Sequence, residues 1–367
     1  MKIPLCRPIF DKEMEDAAIY ALQNEKFVLG ESVFKFEEEF AKYFSIKHAI
    51  STNSGTSALH LSLIALGTRI GDSVITAPAS FIATANAISY IKAKPVFADI
   101  DIESYTISPK QIVEKMTRKV KVVLPVHLYG RPAEMDSLKE ISKQQGLHIV
   151  EDACQAHGAE FLGSKVGTIG DVGCFSFYST KNMTVCGDGG MAITDDDTIA
   201  NVIRRLRDCG RSSQYEHTLI GFTARLNTVN AAIGRIQLKR LDGWNKQRRE
   251  IANLYNSLLS DLKDVILPPS DSKKIKSVYH LYVIRTLFRD QLLAWLRKNG
   301  IECGIHYPTP IHLQPVYKSL YDYEEGDYPN SELLSKTCLS LPMFPTLTRN
   351  EVRYICEKVH EFFKQRG

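Results

Sequence analysis

The chain of 367 residues has no long apolar run and no dense block of one charge. No stretch approaches the ~18 apolar residues that a membrane-spanning helix needs, so we expect no membrane partner. Lysine and arginine number 46 and aspartate and glutamate 42, and the net charge of +4 is spread along the chain. Without a basic block, nucleic-acid binding is not expected.

The eight cysteines stand singly, and no Cys-x-x-Cys pair occurs. Cys154, Cys174 and Cys356 lie within apolar stretches, where buried free thiols are expected. The pattern therefore predicts neither disulfides nor a metal site. The N-terminus turns polar within about ten residues and lacks the apolar core of a signal peptide. We expect a cytoplasmic location.

Short β-rich runs alternate with helical patterns in the first two thirds of the chain, which predicts an α/β fold with helices on both faces of a sheet. Most of these runs are almost continuously apolar, so the sheet should be buried and largely parallel. The seven predicted strands are His48–Thr52, Val74–Ala77, Pro95–Ile100, Val120–Val126, Leu147–Ala153, Gly173–Tyr178 and Met191–Thr194. Amphipathic segments between them predict helices at Val33–Tyr43, Ser57–Leu66 and Ala133–Gln144.

The pattern changes from about Leu226. A long helical stretch runs from Ala231 to about Leu262, with a predicted interruption near Gly243. The last part of the chain predicts a strand and two helices, at Tyr279–Arg285, Asp290–Lys298 and Glu351–Phe363. We therefore predict a large domain over residues 1–240 and a smaller α+β domain over residues 241–367.

An acidic pair ends the predicted strand at residues 147–153. Asp152 lies where open α/β sheets bind ligands, at the carboxyl end of a strand. Glu151 would point to the opposite face and is the weaker candidate. Taken alone, Asp152 is explained equally well as the cap of a following helix.

Lys181 follows the next predicted strand directly, so its side chain should emerge near Asp152. A lysine desolvated there would have a lowered pKa and would attack an aldehyde. A lone lysine is usually a surface residue, but the neighbourhood favours a functional one. Ser176 offers a hydroxyl suited to a phosphate, and a flexible turn follows at residues 187–190.

The segment Asn53–Ser57 stands between a strand and a helix and is a candidate phosphate site. Gly55 lets the backbone approach an anion, the helix N-terminus favours negative charge, and Thr56 and Ser57 add hydroxyls. The segment lacks the Walker and dinucleotide motifs. In isolation, a simple helix cap is the more common explanation.

Phe81 follows the strand at residues 74–77 and would stack against a planar ligand, although an aromatic residue in an α/β domain more often belongs to the core. A lysine, a carboxylate, a phosphate cradle and a flat side chain are what pyridoxal phosphate requires of a protein. Pyridoxal 5'-phosphate is therefore the predicted cofactor.

Longer segments of the chain resemble the DegT/StrS family of sugar aminotransferases, which are fold type I pyridoxal phosphate enzymes. The resemblance runs nearly end to end. It is carried by residues 54–59, 151–158, 173–182, 187–191, 231–234, 306–308 and 312–315.

The resemblance implies that Lys181 forms the Schiff base with the cofactor and that Asp152 faces its pyridine nitrogen. Gln155 would hold the ring hydroxyl. In the family the site lies between two subunits, so a homodimer with shared active sites is implied. The residues implied to bind the phosphate are Thr56, Ser57 and Ser176.

Two departures from the family stand out. Thr223 occupies the place of an asparagine that usually reaches the phosphate of the neighbouring subunit, and its shorter side chain puts that contact in doubt. Arg131 replaces a frequent glutamine. Some relatives carry histidine in place of Lys181 and are sugar dehydratases, so the lysine here favours transamination.

The resemblance implies transfer of an amino group, with L-glutamate as the expected donor, to the keto group of a nucleotide-linked sugar. Lys181 would also carry the proton between the donor carbon and the cofactor. Candidate substrate contacts are Arg225, His306, Tyr307 and His312. The two histidines are explained equally well as structural residues of a proline-rich loop.

Two alternatives remain at this point. The same scaffold supports transamination of a keto-inositol of the scyllo-inosose type. The chain would also suit a ligand-sensing regulator built on a retired aminotransferase fold, although the joint presence of Lys181, Asp152 and Gln155 argues against that function.

Overall fold

Seven strands form one sheet between two sets of helices in the computed structural model, which describes residues 2–366. The strands of the chain are β1 (His48–Thr52), β2 (Ser73–Thr76), β3 (Lys94–Phe97), β4 (Val120–Leu124), β5 (His148–Asp152), β6 (Glu160–Phe161), β7 (Ser164–Lys165), β8 (Val172–Ser176), β9 (Gly190–Thr194), β10 (Ile275–Lys276), β11 (Tyr282–Arg285) and β12 (Cys338–Leu341). The helices are α1 (Lys12–Asn24), α2 (Glu31–Phe44), α3 (Gly55–Ala65), α4 (Ala83–Tyr90), α5 (Pro109–Glu114), α6 (Met135–Gln145), α7 (Asp197–Arg207), α8 (Thr228–Leu259), α9 (Arg289–Lys298), α10 (Pro315–Tyr321), α11 (Pro329–Thr337) and α12 (Arg349–Lys364).

The sheet has the strand order β1-β9-β8-β5-β4-β2-β3. The pairs from β8 to β3 are parallel, whereas β9 is antiparallel to both of its neighbours. All seven strands coincide with the runs that the sequence predicts, within three residues at each end. The predicted α/β fold with a mostly parallel seven-stranded sheet is confirmed.

Both faces of the sheet are buried, which explains why its strands are almost continuously apolar. On one face Val123 and Phe175 pack against α2, α6 and the start of α8. On the other face Val122 and Cys174 pack against α3, α4 and α7. Neighbouring residues of β4 thus enter different cores, because successive side chains of a strand point to opposite faces.

Helix α8 is continuous over 32 residues, so the predicted interruption near Gly243 is wrong. A single glycine costs a helix about 1 kcal/mol relative to alanine, which tertiary packing outweighs here. The first half of α8 packs on α1 and α2, and its second half packs on α12. The boundary predicted between residues 240 and 241 falls inside this helix and stays a prediction.

The last part of the chain forms a separate apolar cluster with the second half of α8. The antiparallel pair of β11 and β12 lies against α9 and α12. Ile3 belongs to this cluster, and its backbone pairs with Gly300 and Glu302. The chain then passes Leu5, whose carbonyl accepts a hydrogen bond from the amide of Met343 at 3.1 Å. The N-terminal segment is thereby held against the C-terminal region.

Within residues 2–366, no helix combines the length and the apolar character that crossing a bilayer requires.

Two glycines give a matched test of this packing. A Cβ at Gly173 in β8 would lie 2.2 Å from the carbonyl oxygen of Gly167, whereas a Cβ at Gly243 would meet no atom within 4 Å. We expect Gly173→Ala to lower the free energy of unfolding by about 1–3 kcal/mol through overpacking. Gly243→Ala should raise it by up to about 1 kcal/mol. Urea denaturation followed by circular dichroism measures both, and equal effects of the two changes would contradict the packing described.

Candidate active site

A cavity of about 520 Å³ opens at the carboxyl ends of β5 and β8, beside the N-terminus of α3. This is the edge at which open α/β sheets bind ligands. It contains most of the residues that the sequence predicts for the site. The predicted residues that line it are Gly55, Thr56, Phe81, Asp152, Gln155, Ser176, Lys181, His306 and Tyr307.

Lys181 lies in the turn that follows β8, where its amide donates to the carbonyl of Tyr178 at 2.8 Å. Burial lowers the pKa of the Lys181 ammonium, and the nearby Cys154 and Asp152 offset only part of this effect. Lys181 forms no ion pair with any of residues 2–366. The neutral amine, which is the nucleophilic form, is therefore favoured relative to an exposed lysine.

Asp152 ends β5 and is 4% exposed. One carboxylate oxygen accepts a hydrogen bond from the hydroxyl of Thr84 at 2.8 Å, and the other accepts one from the amide of Cys154 at 3.2 Å. The Thr84 hydroxyl is in turn 2.9 Å from that of Ser80. These donors hold the carboxylate in place at the cavity wall.

Glu151 points to the opposite side of the strand, as the alternation of side chains predicts. Its carboxylate is fully buried and accepts four hydrogen bonds, from the ring Nε2 of His127 and from the amides of Gly167, Ile169 and Gly170. This acid connects parts of the scaffold and does not reach the cavity.

The N-terminus of α3 meets the end of β8 very closely. A Cβ at Gly55 would lie 2.7 Å from the Cβ of Ser176 and 2.8 Å from the sulfur of Cys154. Only glycine permits this approach, which places the first turn of the helix beside the Ser176 hydroxyl. The first amides of a helix have no partner within the helix. Those of Gly55 and Thr56 are therefore available to an anion in the cavity.

Ser57 takes part in the cap of α3 and does not line the cavity. Its amide donates to the hydroxyl of Ser54 at 3.1 Å, and its own hydroxyl donates to the side-chain oxygen of Asn53 at 2.6 Å. Ser57 therefore fits the alternative that the sequence leaves open, in which this segment caps a helix.

Gln155 is fixed at both ends of its amide. Its oxygen accepts from the amide of Tyr129 at 2.9 Å, and its nitrogen donates to the hydroxyl of Tyr307 at 3.2 Å. The rings of Tyr307 and Phe81 are 5.8 Å apart, and Phe81 is 53% exposed at the mouth of the cavity. An oriented amide thus faces the same space as Lys181.

His306 also lines the cavity. Its Nδ1 lies 2.8 Å from the hydroxyl of Ser340. Burial, together with the nearby charge of Lys181, lowers the pKa of His306 to about 4. The imidazole is therefore neutral near pH 7, so it offers hydrogen bonds without a net charge.

Besides Ser57, three predicted residues do not line the cavity of a single chain. Thr223 is exposed, and Arg225 is paired with Asp208 at 2.6 Å. His312 is fully buried, with its Nε2 3.1 Å from Glu332. His312 is therefore a structural residue, which is one of the two explanations that the sequence leaves open for the histidines. His306, in contrast, lines the cavity.

Several cavity residues are not apparent from the sequence. Thr84 lies one helical turn after Phe81, and that spacing is the one local signal for it. Leu5 and Cys6 reach the cavity only because the N-terminal segment crosses the C-terminal region, which no local pattern reveals. Other lining residues outside the predicted set are His280, Tyr178, Thr180 and Asp188.

Comparison with known proteins confirms the family that the sequence motifs indicate. Residues 8–360 match the model of the DegT/DnrJ/EryC1/StrS aminotransferase family. The chain is 42% identical to a pleiotropic regulatory protein of Geobacillus stearothermophilus, over 94% of this chain and 92% of that protein. It is 40% identical to the dTDP-3-amino-3,4,6-trideoxy-alpha-D-glucose transaminase of Streptomyces venezuelae, over 95% and 91%.

A solved structure has the same fold. The S. venezuelae protein DesV, crystallised in complex with a ketimine intermediate, superposes with a TM-score of 0.94 at 37% identity, over 98% of both chains. This similarity confirms the predicted fold type I architecture. The chain belongs to the DegT/DnrJ/EryC1/StrS aminotransferase family.

Proposed function

We propose that this protein is a pyridoxal-phosphate-dependent aminotransferase that transfers an amino group from L-glutamate to the keto group of a nucleotide-linked sugar. The observation that carries the proposal is that one cavity holds a desolvated Lys181, the carboxylate of Asp152, the amide of Gln155 and an anion cradle at Gly55. The transaminase activity of the Streptomyces venezuelae relative supports the sugar as acceptor.

The donor set fits the cofactor. The close approach at Gly55 leaves no room for a side chain and exposes two helix amides next to Ser176, as a phosphate group requires. Asp152 supplies a carboxylate for a protonated ring nitrogen, Gln155 supplies an amide for a ring hydroxyl, and Phe81 offers a flat side chain for stacking. Lys181 would hold the cofactor covalently.

When bound, pyridoxal phosphate supplies an electron sink that stabilises negative charge on the carbon bearing the amino group. Lys181 serves as the proton carrier of the site. Because its pKa is lowered, a larger fraction of its Nζ is neutral near pH 7 than in an exposed lysine and can accept the proton from the donor carbon. Lys181 would pass that proton on within the same half of the reaction, and in the second half it would deliver a proton to the carbon of the sugar. Asp152 remains the fixed negative charge, held by Thr84.

His306 and Tyr307 are the proposed sugar contacts, since both line the cavity. Arg225 and His312 would reach a substrate only through another subunit or a rearrangement, because each is paired within its own chain. We also propose a homodimer in which Thr223, exposed in the single chain, completes the phosphate site of the partner subunit. Ser57 would bind the phosphate in its own subunit if its hydroxyl donated to the phosphate instead of to Asn53. A cytoplasmic location stays a prediction.

The capture of the cofactor by apo-protein tests the role of Lys181. Because burial lowers the pKa of this lysine, the rate of covalent capture should rise with pH through a midpoint below 10.5, the ordinary value for lysine. Borohydride reduction followed by mass spectrometry of the intact protein and its peptides measures the reaction. Lys181→Ala should show no adduct, while the exposed Lys336→Ala should behave as the parent. A midpoint at or above 10.5, or an adduct on another lysine, would contradict the assignment.

Replacement of the carboxylate separates chemistry from binding. We expect Asp152→Asn to capture the cofactor but to lower kcat by roughly 10- to 1,000-fold, because an adjacent carboxylate favours a protonated partner by about 1–3 pKa units. Thr84→Val, which removes one hydrogen bond to the carboxylate, should lower kcat by a smaller factor of roughly 10. Stopped-flow half-reactions with L-glutamate provide the rates. An unchanged kcat in Asp152→Asn would exclude the proposed role.

A substrate panel decides the acceptor. The amino form of the holoenzyme is mixed with UDP-, dTDP- and GDP-linked keto sugars and with scyllo-inosose, and the return of lysine-bound cofactor absorbance is recorded. We expect at least one nucleotide keto sugar to restore it and scyllo-inosose not to. Turnover of scyllo-inosose alone would establish the keto-inositol activity instead. A protein that never shows lysine-bound cofactor, even with cofactor added, would contradict the aminotransferase activity and favour the regulatory function.

A further inference from the structure

A second cavity, of about 310 Å³, lies on the C-terminal region away from the residues of the candidate active site. Its walls are largely apolar, and three of the apolar residues are substantially exposed: Ile266 (52%), Leu287 (82%) and Leu333 (42%). The volume is at the lower end of the range found for small-molecule sites. Its most unusual component is Arg285, the last residue of β11.

Arg285 is 8% exposed, yet it has no carboxylate partner among residues 2–366. Its Nε donates to the hydroxyl of Tyr105 at 3.2 Å, and its guanidinium lies 5.4 Å from the centre of that ring. The two terminal nitrogens donate to no described residue. Because arginine stays protonated at any physiological pH, a charge is held here with most of its donors unused.

The other two buried arginines of residues 2–366 show how this chain normally satisfies such a group. Arg207 forms an ion pair with the carboxylate of Glu37 and also donates to the carbonyl of Ser51 at 2.8 Å. Arg248 donates through one terminal nitrogen to three backbone carbonyls, at 3.1 to 3.3 Å, although its Nε has no partner. A buried cation without such acceptors is costly. Arg285 differs from both, because neither of its terminal nitrogens has an acceptor among residues 2–366, and it lines a cavity.

The charges at the rim do not neutralise Arg285. Lys263 and Asp264 both line the cavity and are exposed, and Asp264 forms no ion pair with Arg285 in the described chain. A ligand that carries one anionic group would meet the guanidinium in the fork geometry that arginine offers to carboxylates and phosphates. A hydrocarbon part of the same ligand would cover the exposed faces of Leu287 and Leu333.

We propose that this cavity binds a small organic anion in which one carboxylate or phosphate group is attached to an apolar body, with Arg285 as the anion contact. This cavity shares no lining residue with the candidate active site. Its occupancy is measured without turnover, so its failure would leave the proposed function untouched.

The test measures binding of phenylacetate, phenyl phosphate and the neutral phenylacetamide to the holoenzyme by isothermal titration calorimetry. We expect one or both anions to bind roughly 10- to 100-fold more tightly than phenylacetamide, because the lost hydrogen bonds involve a charged group. The two anions distinguish a carboxylate site from a phosphate site. Arg285→Met should weaken anion binding by a similar factor.

Two further variants keep the test decisive if Arg285→Met folds poorly. Leu287→Glu places a negative charge on an exposed wall residue and should weaken anion binding roughly fivefold. Arg289→Met is the matched control, because Arg289 is also largely buried but is paired with Asp290 and does not line the cavity. Equal affinity for phenylacetamide and the anions, or parent-like anion binding in Arg285→Met and Leu287→Glu, would overturn the proposal.

Discussion

The buried carboxylate of Glu151 is the constraint on which the site depends. It accepts hydrogen bonds from His127 and from three amides of the 167–170 turn, and thereby joins the segments that follow β4 and precede β8 to the end of β5. Because successive side chains of a strand point in opposite directions, fixing Glu151 in the scaffold directs Asp152 into the cavity. Two adjacent acids of the same chemistry thus have different tasks. One organises the sheet edge, and the other faces the ligand.

Charge in the cavity is set by burial more than by ion pairs. Desolvation lowers the pKa of Lys181 and of the nearby His280 and His306, so these groups tend towards their neutral forms. Asp152 keeps donors from Thr84 and from a backbone amide and is the fixed charge of the wall. Such a cavity offers a neutral amine beside a carboxylate. The amine suits the carbonyl group of a cofactor such as pyridoxal phosphate, and the carboxylate suits its basic ring nitrogen.

The sheet could be predicted from the sequence because its strands are buried on both faces and therefore appear as apolar runs between turns. The residues at the ends of β5 and β8 could be predicted for the same reason, since parallel strands bring their carboxyl ends to one edge. The continuity of α8 could not, because packing along its length outweighs the local preference of Gly243. The sequence also could not predict that His306 lines the cavity whereas His312 does not. Both histidines lie in the same proline-rich segment, and its local pattern does not indicate which side chain faces the cavity. The roles proposed for Thr223 and Ser57 involve a partner subunit and a bound phosphate, so they stay predictions.

The contact between Leu5 and Met343 has a consequence for biosynthesis. The segment that carries Leu5 and Cys6 into the cavity is held by a backbone hydrogen bond to a residue made some 340 positions later in translation. A contact of such long sequence separation forms late, because a long loop must close before it contributes any stability. A ribosome-bound nascent chain can therefore build the seven-stranded sheet while one wall of its cavity is still missing.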